Sequence, residues 1–420
     1  MSEKISPDHP KADLGFPEGG LRAWLVVLGT GLVLSSTCSL NVSCSVGLVS
    51  SWGVFQTYYA TELLSGTDPS NIAWIGSIQY FLVYLPSLLS GRLFDFGYLK
   101  LPMAIASTVL VAALLLLAQC TAYWQVLLCQ GLTCGLACGT MYGPAMTVLG
   151  HWFRDRLGIA VGIASLGVSF GGTVFPILIR KLIPVVGFPW TMRILAFVIA
   201  ASLICANLAV ARRLPPTPSN GKIISFVILK NKAFTTYTIS GFFAFQALWT
   251  LSTYLDQSAQ AAGISPDFSV YLLSILNASA AFGRIGGGLV MDRIGPINTM
   301  IPFNLVAATL IYTWPTAKDQ ASFIVIAALY GVASGPISTM FLTPLYRLVG
   351  DADDLGGRLG MASSLSAFGD LFGLPIAGAL LQTPLRFQAI GLYGGSTFTI
   401  SILGMFLMKW LVLGNLHGKF

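Results

Sequence analysis

Two charged side chains stand deep inside apolar runs of this 420-residue sequence, Arg284 and Asp370. A guanidinium keeps its proton at any ordinary pH, and in a low-dielectric interior it must face protein or a watery cavity. Its planar fork holds a carboxylate through two parallel hydrogen bonds, so Arg284 is a candidate anion-binding residue. The competing reading is structural, with Arg284 paired to backbone carbonyls or to Asp370. Asp370 in turn is a candidate partner for Arg284 or a place for a coupled proton. Asn277, two helical turns before Arg284, is a candidate for the wall of the same cavity, as are Phe245, Gln246, Trp249, Tyr254 and Tyr330. Taken singly, packing or lipid contact accounts for each of these aromatics.

A second constellation lies at helix ends. Gly288-x3-Asp292, followed by Arg293 and Gly295, is matched in the first half of the chain by Gly91-x3-Asp95. A carboxylate is favoured at the positive N-terminal end of a helix; an ordinary solvated loop charge is the plainer reading. Two further matches run in the same order. Gly131, Gly135 and Pro144 correspond to Gly331, Gly335 and Pro344, and Arg156-Leu157-Gly158 corresponds to Arg358-Leu359-Gly360. Three matches at nearly one period indicate an internal repeat. The repeat places Ser87 opposite Arg284, an asymmetry expected of a residue that serves a substrate rather than the scaffold.

The elements that position these residues are membrane helices. The chain is 55% hydrophobic and 9% charged, against about 25% charged in soluble domains. Apolar runs of roughly 20 residues select helices over a barrel, whose strands alternate over about 10. Twelve spans are predicted, near 23–58, 71–91, 101–120, 124–149, 158–179, 190–211, 234–255, 268–290, 297–315, 321–346, 359–381 and 388–408. The expected fold is all-α and polytopic, with two six-helix bundles, 21–211 and 234–413. A cytoplasmic linker, 212–233, joins them, and short cytoplasmic tails, 1–20 and 414–420, flank them. Seventeen of the 23 lysines and arginines fall in loops on the side of the N-terminus; only Arg180, Lys181, Arg193, Lys318 and Arg386 fall on the other. This bias places both termini in the cytoplasm, with the plasma membrane the expected host. It also explains the net charge of +7 without nucleic acid.

Several chemistries have no support in the sequence. All seven cysteines lie in apolar segments, against a secreted disulfide framework. Cys134 and Cys138 are one turn apart but have no His or carboxylate near them to complete a metal site. There is no Gly-x4-Gly-Lys-Ser/Thr phosphate loop, no cofactor motif, and no His–carboxylate or Ser–Lys pair within the spans for an intramembrane enzyme. The first twenty residues are polar and do not form a cleavable signal. From Ala23 to Thr61 no residue is charged, which as one helix would be ~58 Å, about twice the hydrocarbon thickness. Ser35–Ser45 therefore reads as added residues, a bulge or a kink.

At this point the chain resembles the major facilitator superfamily. The loop motif G-x-L-x-D-R-x-G is approached by Gly288–Gly295, while Gly91–Gly97 keeps Gly, Leu and Asp and lacks the Arg. The resemblance implies that the aspartate contacts the N-terminus of a helix across the domain interface and latches one access state. Within the superfamily the chain is similar to the monocarboxylate porter branch in its fungal form. The residues that carry this are Glu18-Gly19-Gly20-Leu21-Arg22-Ala23-Trp24 before span 1, His151–Gly162 leading into span 5, and Ser274, Asn277, Gly283, Arg284 and Gly288 in span 8. The branch implies Arg284 as the residue that binds the substrate carboxylate, in a monomeric carrier of a small organic anion working by alternating access, with protons as possible co-substrates. Export of a fungal secondary metabolite is the alternative; a non-transporting nutrient sensor on the same scaffold is a remote one. The sequence departs from animal members of the branch, which place a Lys in span 1 and an Asp one turn before the span-8 Arg. Here Ser50-Ser51-Trp52-Gly53 and Ala280 stand in those places. At ~1.5 Å per residue Arg284 lies ~12 Å along its helix from Asp292, and Asp370 ~18 Å from Arg358. The similar depths make a direct or water-bridged pair the expectation.

Overall fold

The computed structural model describes residues 18–40, 55, 58–67, 69–215, 226–349, 355–415 and 418. Among them the chain is helical, without a strand. α1 is Leu21–Leu40. α2 is Pro69–Tyr84, continued past Leu85 and Pro86 by Ser87–Asp95. α3 is Lys100–Leu117 and α4 is Tyr123–His151. The next helical run, Leu157–Ala164 and Leu166–Ala209, breaks at Gly187 (φ 75°), giving α5 (157–186) and α6 (188–209). α7 is Lys232–Leu248, continued by Thr250–Ala261. α8 is Pro266–Ile294 and α9 is Pro296–Thr313, separated by Gly295 alone. α10 is Gln320–Leu348, α11 is Leu355–Leu381 and α12 is Phe387–Leu413. Among the described residues eight stretches are by themselves long and apolar enough to cross a membrane. The rods fall on the twelve predicted spans. α1 is helical through Leu40; the rest of Ser35–Ser45, the Ser50–Gly53 stretch and residues 216–225 of the expected linker lie outside the described residues.

Glycines set the packing of the rods. Gly135 lies against Gln79 O, putting α4 on α2, and Gly335 lies against Ala280 O, putting α10 on α8. Gly167 faces Gly31 O and Gly369 faces Phe242 O, so α5 rests on α1 as α11 rests on α7. Without a hydrophobic drive between helices in lipid, such close backbone approach is what gains dispersion energy. The two-fold correspondence noticed along the sequence is thus a correspondence of contacts. The outer rods turn leucines outward: Leu101 on α3, Leu208 on α6 and Leu403 on α12 are each more than 60% exposed. That apolar outer surface suits lipid.

The loops 2–3, 4–5, 8–9 and 10–11 share one end of the bundle with both termini. Trp152 Nε1 donates to Ala211 O at 3.0 Å, tying the α4 end to the α6 end. Asn298 Nδ2 donates to Gly418 O at 2.8 Å, tying the start of α9 to the C-terminal residues. This end is called the terminal end below.

Candidate substrate site and gate

At the terminal end the two halves are joined by a repeated device. Asp292, near the end of α8, accepts from Gly158 N at 2.9 Å and from Ile159 N at 3.0 Å, the first free amides of α5. Asp95, at the end of α2, accepts from Gly356 N at 3.1 Å and Gly357 N at 3.0 Å in the first turn of α11. Each carboxylate therefore covers two orphan donors of a helix N-terminus that belongs to the other half. The neighbouring glycines let the backbones meet. A Cβ on Gly288 would lie 2.5 Å from Gly158 O, and one on Gly91 would collide with Gly356 O. Tyr346 of α10 adds a third crossing, its hydroxyl donating to Met146 O at 3.2 Å.

The surroundings of the two aspartates differ. Arg92 Nη1 is 3.9 Å from Asp95 Oδ2. Arg212 donates to Phe94 O and, at 3.3 Å, to Asp95 O, and lies over the Phe94 ring. It thereby takes up the last carbonyls of α2. Burial pulls the Arg212 guanidinium down from its ordinary range and Asp95 beside it pushes back up. On the other side, Glu18 reaches under the 4–5 loop. Its carboxylate accepts from Arg154 N (2.7 Å), Asp155 N (2.8 Å) and Arg156 N (3.0 Å). Trp24 packs on Phe153, ring centroids 5.4 Å apart. Arg156 is exposed and enters the gate through its backbone amide; Arg358, half-buried, opens α11 beside Asp95's donors, and Arg293 is exposed at the end of α8. Gly295 (φ 97°) supplies the left-handed backbone of the α8–α9 turn.

One turn and more deeper along α8 sits Arg284, fully buried. Its guanidinium donates to Ser169 Oγ of α5. Its own carbonyl faces Gly162, and its side-chain stem passes Gly335 of α10. In the other half Gly360 faces Ser87 O in the same way, so Ser87 is the spatial as well as the sequence counterpart of Arg284. Two turns further Asn277 Nδ2 donates to Gly172 O at 3.0 Å. Arg284 and Asn277 thus line one seam, α5 against α8.

Two of the aromatic candidates, Phe245 and Trp249, lie on the opposite seam. α7 is interrupted at Trp249, which is buried. Its Nε1 donates to Asp370 Oδ1 of α11 at 2.7 Å, and its ring stacks on Tyr80 of α2, centroids 6.0 Å apart. One turn earlier Phe245 stacks on Tyr84 (5.1 Å), which meets Tyr142 edge-on (5.2 Å). Gln246 is half-buried, and its backbone lies against Gly369 and Gly373. Tyr254 and Tyr330 do not line the seam. Their hydroxyls donate to Leu374 O (3.5 Å) and Leu248 O (2.7 Å), bracing α7 against α11 and α10. Tyr330 satisfies a carbonyl at the α7 break, as an interrupted helix in lipid requires.

The expected pair of Arg284 and Asp370 is not formed. Similar depth does not place two groups on one seam: Arg284 points toward α5 while Asp370 points toward α7. Residues missed at the level of sequence are Ser169, Tyr80, Tyr84 and the clamping role of Glu18. The aromatics had a readable signal. Tyr80 and Tyr84 are four apart in α2, and so are Phe245 and Trp249 in α7, a spacing that stacks side chains on one helix face.

Residues 32–368 match the Major Facilitator Superfamily. The chain belongs to that superfamily. Among fungal relatives, MFS-type transporter 1 of an Ophiocordyceps species is 35% identical over 91% of this chain and 83% of its own length. The Aspyridones efflux protein apdF of Emericella nidulans is 33% identical over 93% of this chain and 79% of its own. The MFS transporter asaE of Aspergillus flavus is 35% identical over 94% and 89%. In fold, the facilitator is similar to the human organic anion transporter MFSD10 (TM-score 0.68, 15% identity, 91% of this chain and 99% of that one). It is likewise similar to FucP in its outward conformation (TM-score 0.67, 16% identity, 91% and 98%). The facilitator is therefore a multi-pass membrane protein of a transporter family.

Proposed function

We propose that the chain is a secondary active exporter of an organic anion of the secondary-metabolite class, and that Arg284 grips the acidic group. The observation that carries this is the fully enclosed guanidinium at the α5–α8 seam, on a helix whose first-half equivalent carries only Ser87. In the conformation described, Arg284 rests on the Ser169 hydroxyl. As α5 and α8 part, an anionic oxygen takes the place of that hydroxyl and forms the stronger, charge-assisted bond. The latches Asp95 and Asp292 hold the terminal end closed until then. The lysine and arginine bias supports a cytoplasmic position for that end, and the plasma membrane is the host this reading expects. The relative named as an aspyridones efflux protein supports export.

A second reading, a short monocarboxylate as cargo, has one observation in its favour. The two stretches that resemble the monocarboxylate porters meet in space, Glu18 on the amides of 154–156 and Trp24 on Phe153. Proteoliposome flux of lactate and pyruvate, set beside a panel of larger aromatic carboxylic acids, separates the readings. Arg284→Ala removes about 2–3 kcal/mol of charge-assisted bonding, so flux of the preferred acid should fall roughly a hundredfold with the protein still folded. Wild-type flux in that variant would remove Arg284 from the substrate site.

A further inference from the structure

We infer that Asp370 is a proton-binding residue of the transport cycle, and that the Trp249 indole carries its charge state to the interface between the two halves. This rests on the transporter reading above and deepens it by naming a coupled ion and its place.

Asp370 is 1% exposed. Oδ1 accepts from Trp249 Nε1; Oδ2 is buried and has no hydrogen-bond partner among the described residues. Gly369 and Gly373 on either side bring α11 onto the backbone of α7 at Phe242 and Gln246. Titratable and charged groups do stand on the elements packed against α11. They include Lys232, Tyr237, Tyr254 and Asp256 on α7, Tyr80 and Tyr84 on α2, Tyr123, Tyr142 and His151 on α4, and Tyr393 on α12. Arg92, Asp95, Tyr346 and Arg347 lie at the terminal end, and Arg386 and Lys409 at the two ends of α12. None of them shares a hydrogen bond or an ion pair with Asp370. Asp256 is engaged by Ser269 and Gln260, Tyr254 by Leu374 O, and Tyr237 by Phe341 O.

A bare carboxylate with a single N–H donor and no cation is a costly thing to keep dry. A proton on Oδ2 removes the charge while Oδ1 keeps the indole bond. Trp249 is the only hydrogen-bond partner of the carboxyl among the described residues, and its other face is stacked on Tyr80, which belongs to the first half. Parting of α2 from α7 and α11 takes Tyr80 off the indole and admits water to Asp370. The hydrated carboxylic acid then releases its proton to water and becomes the carboxylate. Closure of the seam expels water and requires the proton again. Anion and proton therefore act at different seams, Arg284 at α5–α8 and Asp370 at α2–α7–α11, and one rocking motion opens both.

Infrared pH-difference spectroscopy of the full chain in lipid bilayers tests the site. Wild type should show a protonated-carboxyl C=O band that is missing in Asp370→Asn and displaced in Trp249→Phe. Hydrogen exchange of α2 and α11 peptides, corrected for its intrinsic pH dependence, tests the link. In wild type the opening equilibrium should rise with pH by up to about tenfold per unit, the slope of one released proton, and in Asp370→Asn it should be flat. A band retained in Asp370→Asn or unmoved in Trp249→Phe overturns the proposal, as does a wild-type opening equilibrium that ignores pH. Trp249→Phe keeps the carboxyl, so it decides the matter where Asp370→Asn folds poorly. Neither readout uses a substrate, so failure here is separate from failure of anion flux in the Arg284 variants.

Discussion

The two latches are the same lock built in unlike surroundings. Asp95 and Asp292 each take two successive amides at the start of a helix in the other half, at near-equal lengths of 2.9–3.1 Å. Asp95 is buried, with Arg92 and Arg212 around it; Asp292 is half-buried and has Glu18 serving the amides just before its own. Two turns deeper the pair diverges again, with Ser87 behind one latch and Arg284 behind the other. The contact that joins the halves is thus kept in both copies, while the residue behind it is not. The proposed function accounts for the difference: a latch would serve any substrate, whereas a binding residue need be supplied only once.

That comparison is open to breakage at several strengths. The largest effect is expected from valine at the paired glycines. Gly91→Val and Gly288→Val each drive a side chain into a backbone carbonyl that cannot yield, so each should cost the closed terminal end about 3 kcal/mol or more. Cysteine cross-linking across that end should fall in both variants; a fall in only one would mean that the two contacts are not equivalent. Next comes Asp95→Asn. The amide sets an NH2 against the N–H that one carboxylate oxygen had served, and Arg92 would lose its carboxylate in a buried setting, so about 2–3 kcal/mol of closure should go. Asp292→Asn, in a wetter site, should cost about 1–2 kcal/mol. Equal losses in the two asparagine variants would show that the surroundings do not matter. The smallest effect belongs to Glu18→Gln, which leaves one oxygen for three amides and should weaken closure by about 1 kcal/mol or less through poorer placement of the α5 start. An effect as large as that of Asp292→Asn would make Glu18 part of the latch itself.

The fold was legible because lipid forces a simple rule on the chain. Every span must be apolar and helical, so the rods from Lys100–Leu117 to Phe387–Leu413 sit where uncharged runs sit in the sequence. The contacts of Asp95 and Asp292 with helix N-termini were legible because their motif is written twice. What escaped was anything that depends on rotation about a helix axis. Counting residues gave Arg284 and Asp370 their heights, and height alone suggested a pair; the faces they occupy come from the α5–α8 and α7–α11 packing, which no local spacing encodes. Tyr254 and Tyr330 looked like cavity residues for the same reason, since an aromatic that braces a neighbour's carbonyl has no local signature to set it apart. Interruptions were partly hidden too. Pro86 marks the break in α2, but nothing at Trp249 announces the break in α7, which persists because Tyr330 and Ser252 take up the carbonyls of Leu248 and Trp249.

Glu18 has a mechanical consequence. By gripping three consecutive amides ahead of α5, it ties residues 18–20, just before α1, to the 4–5 loop. On this side, parting of the halves would break the bonds between the oxygens of Asp292 and the amides of Gly158 and Ile159 before it disturbs the braced loop ahead of them, just as on the other side it would break those of Asp95 with Gly356 and Gly357.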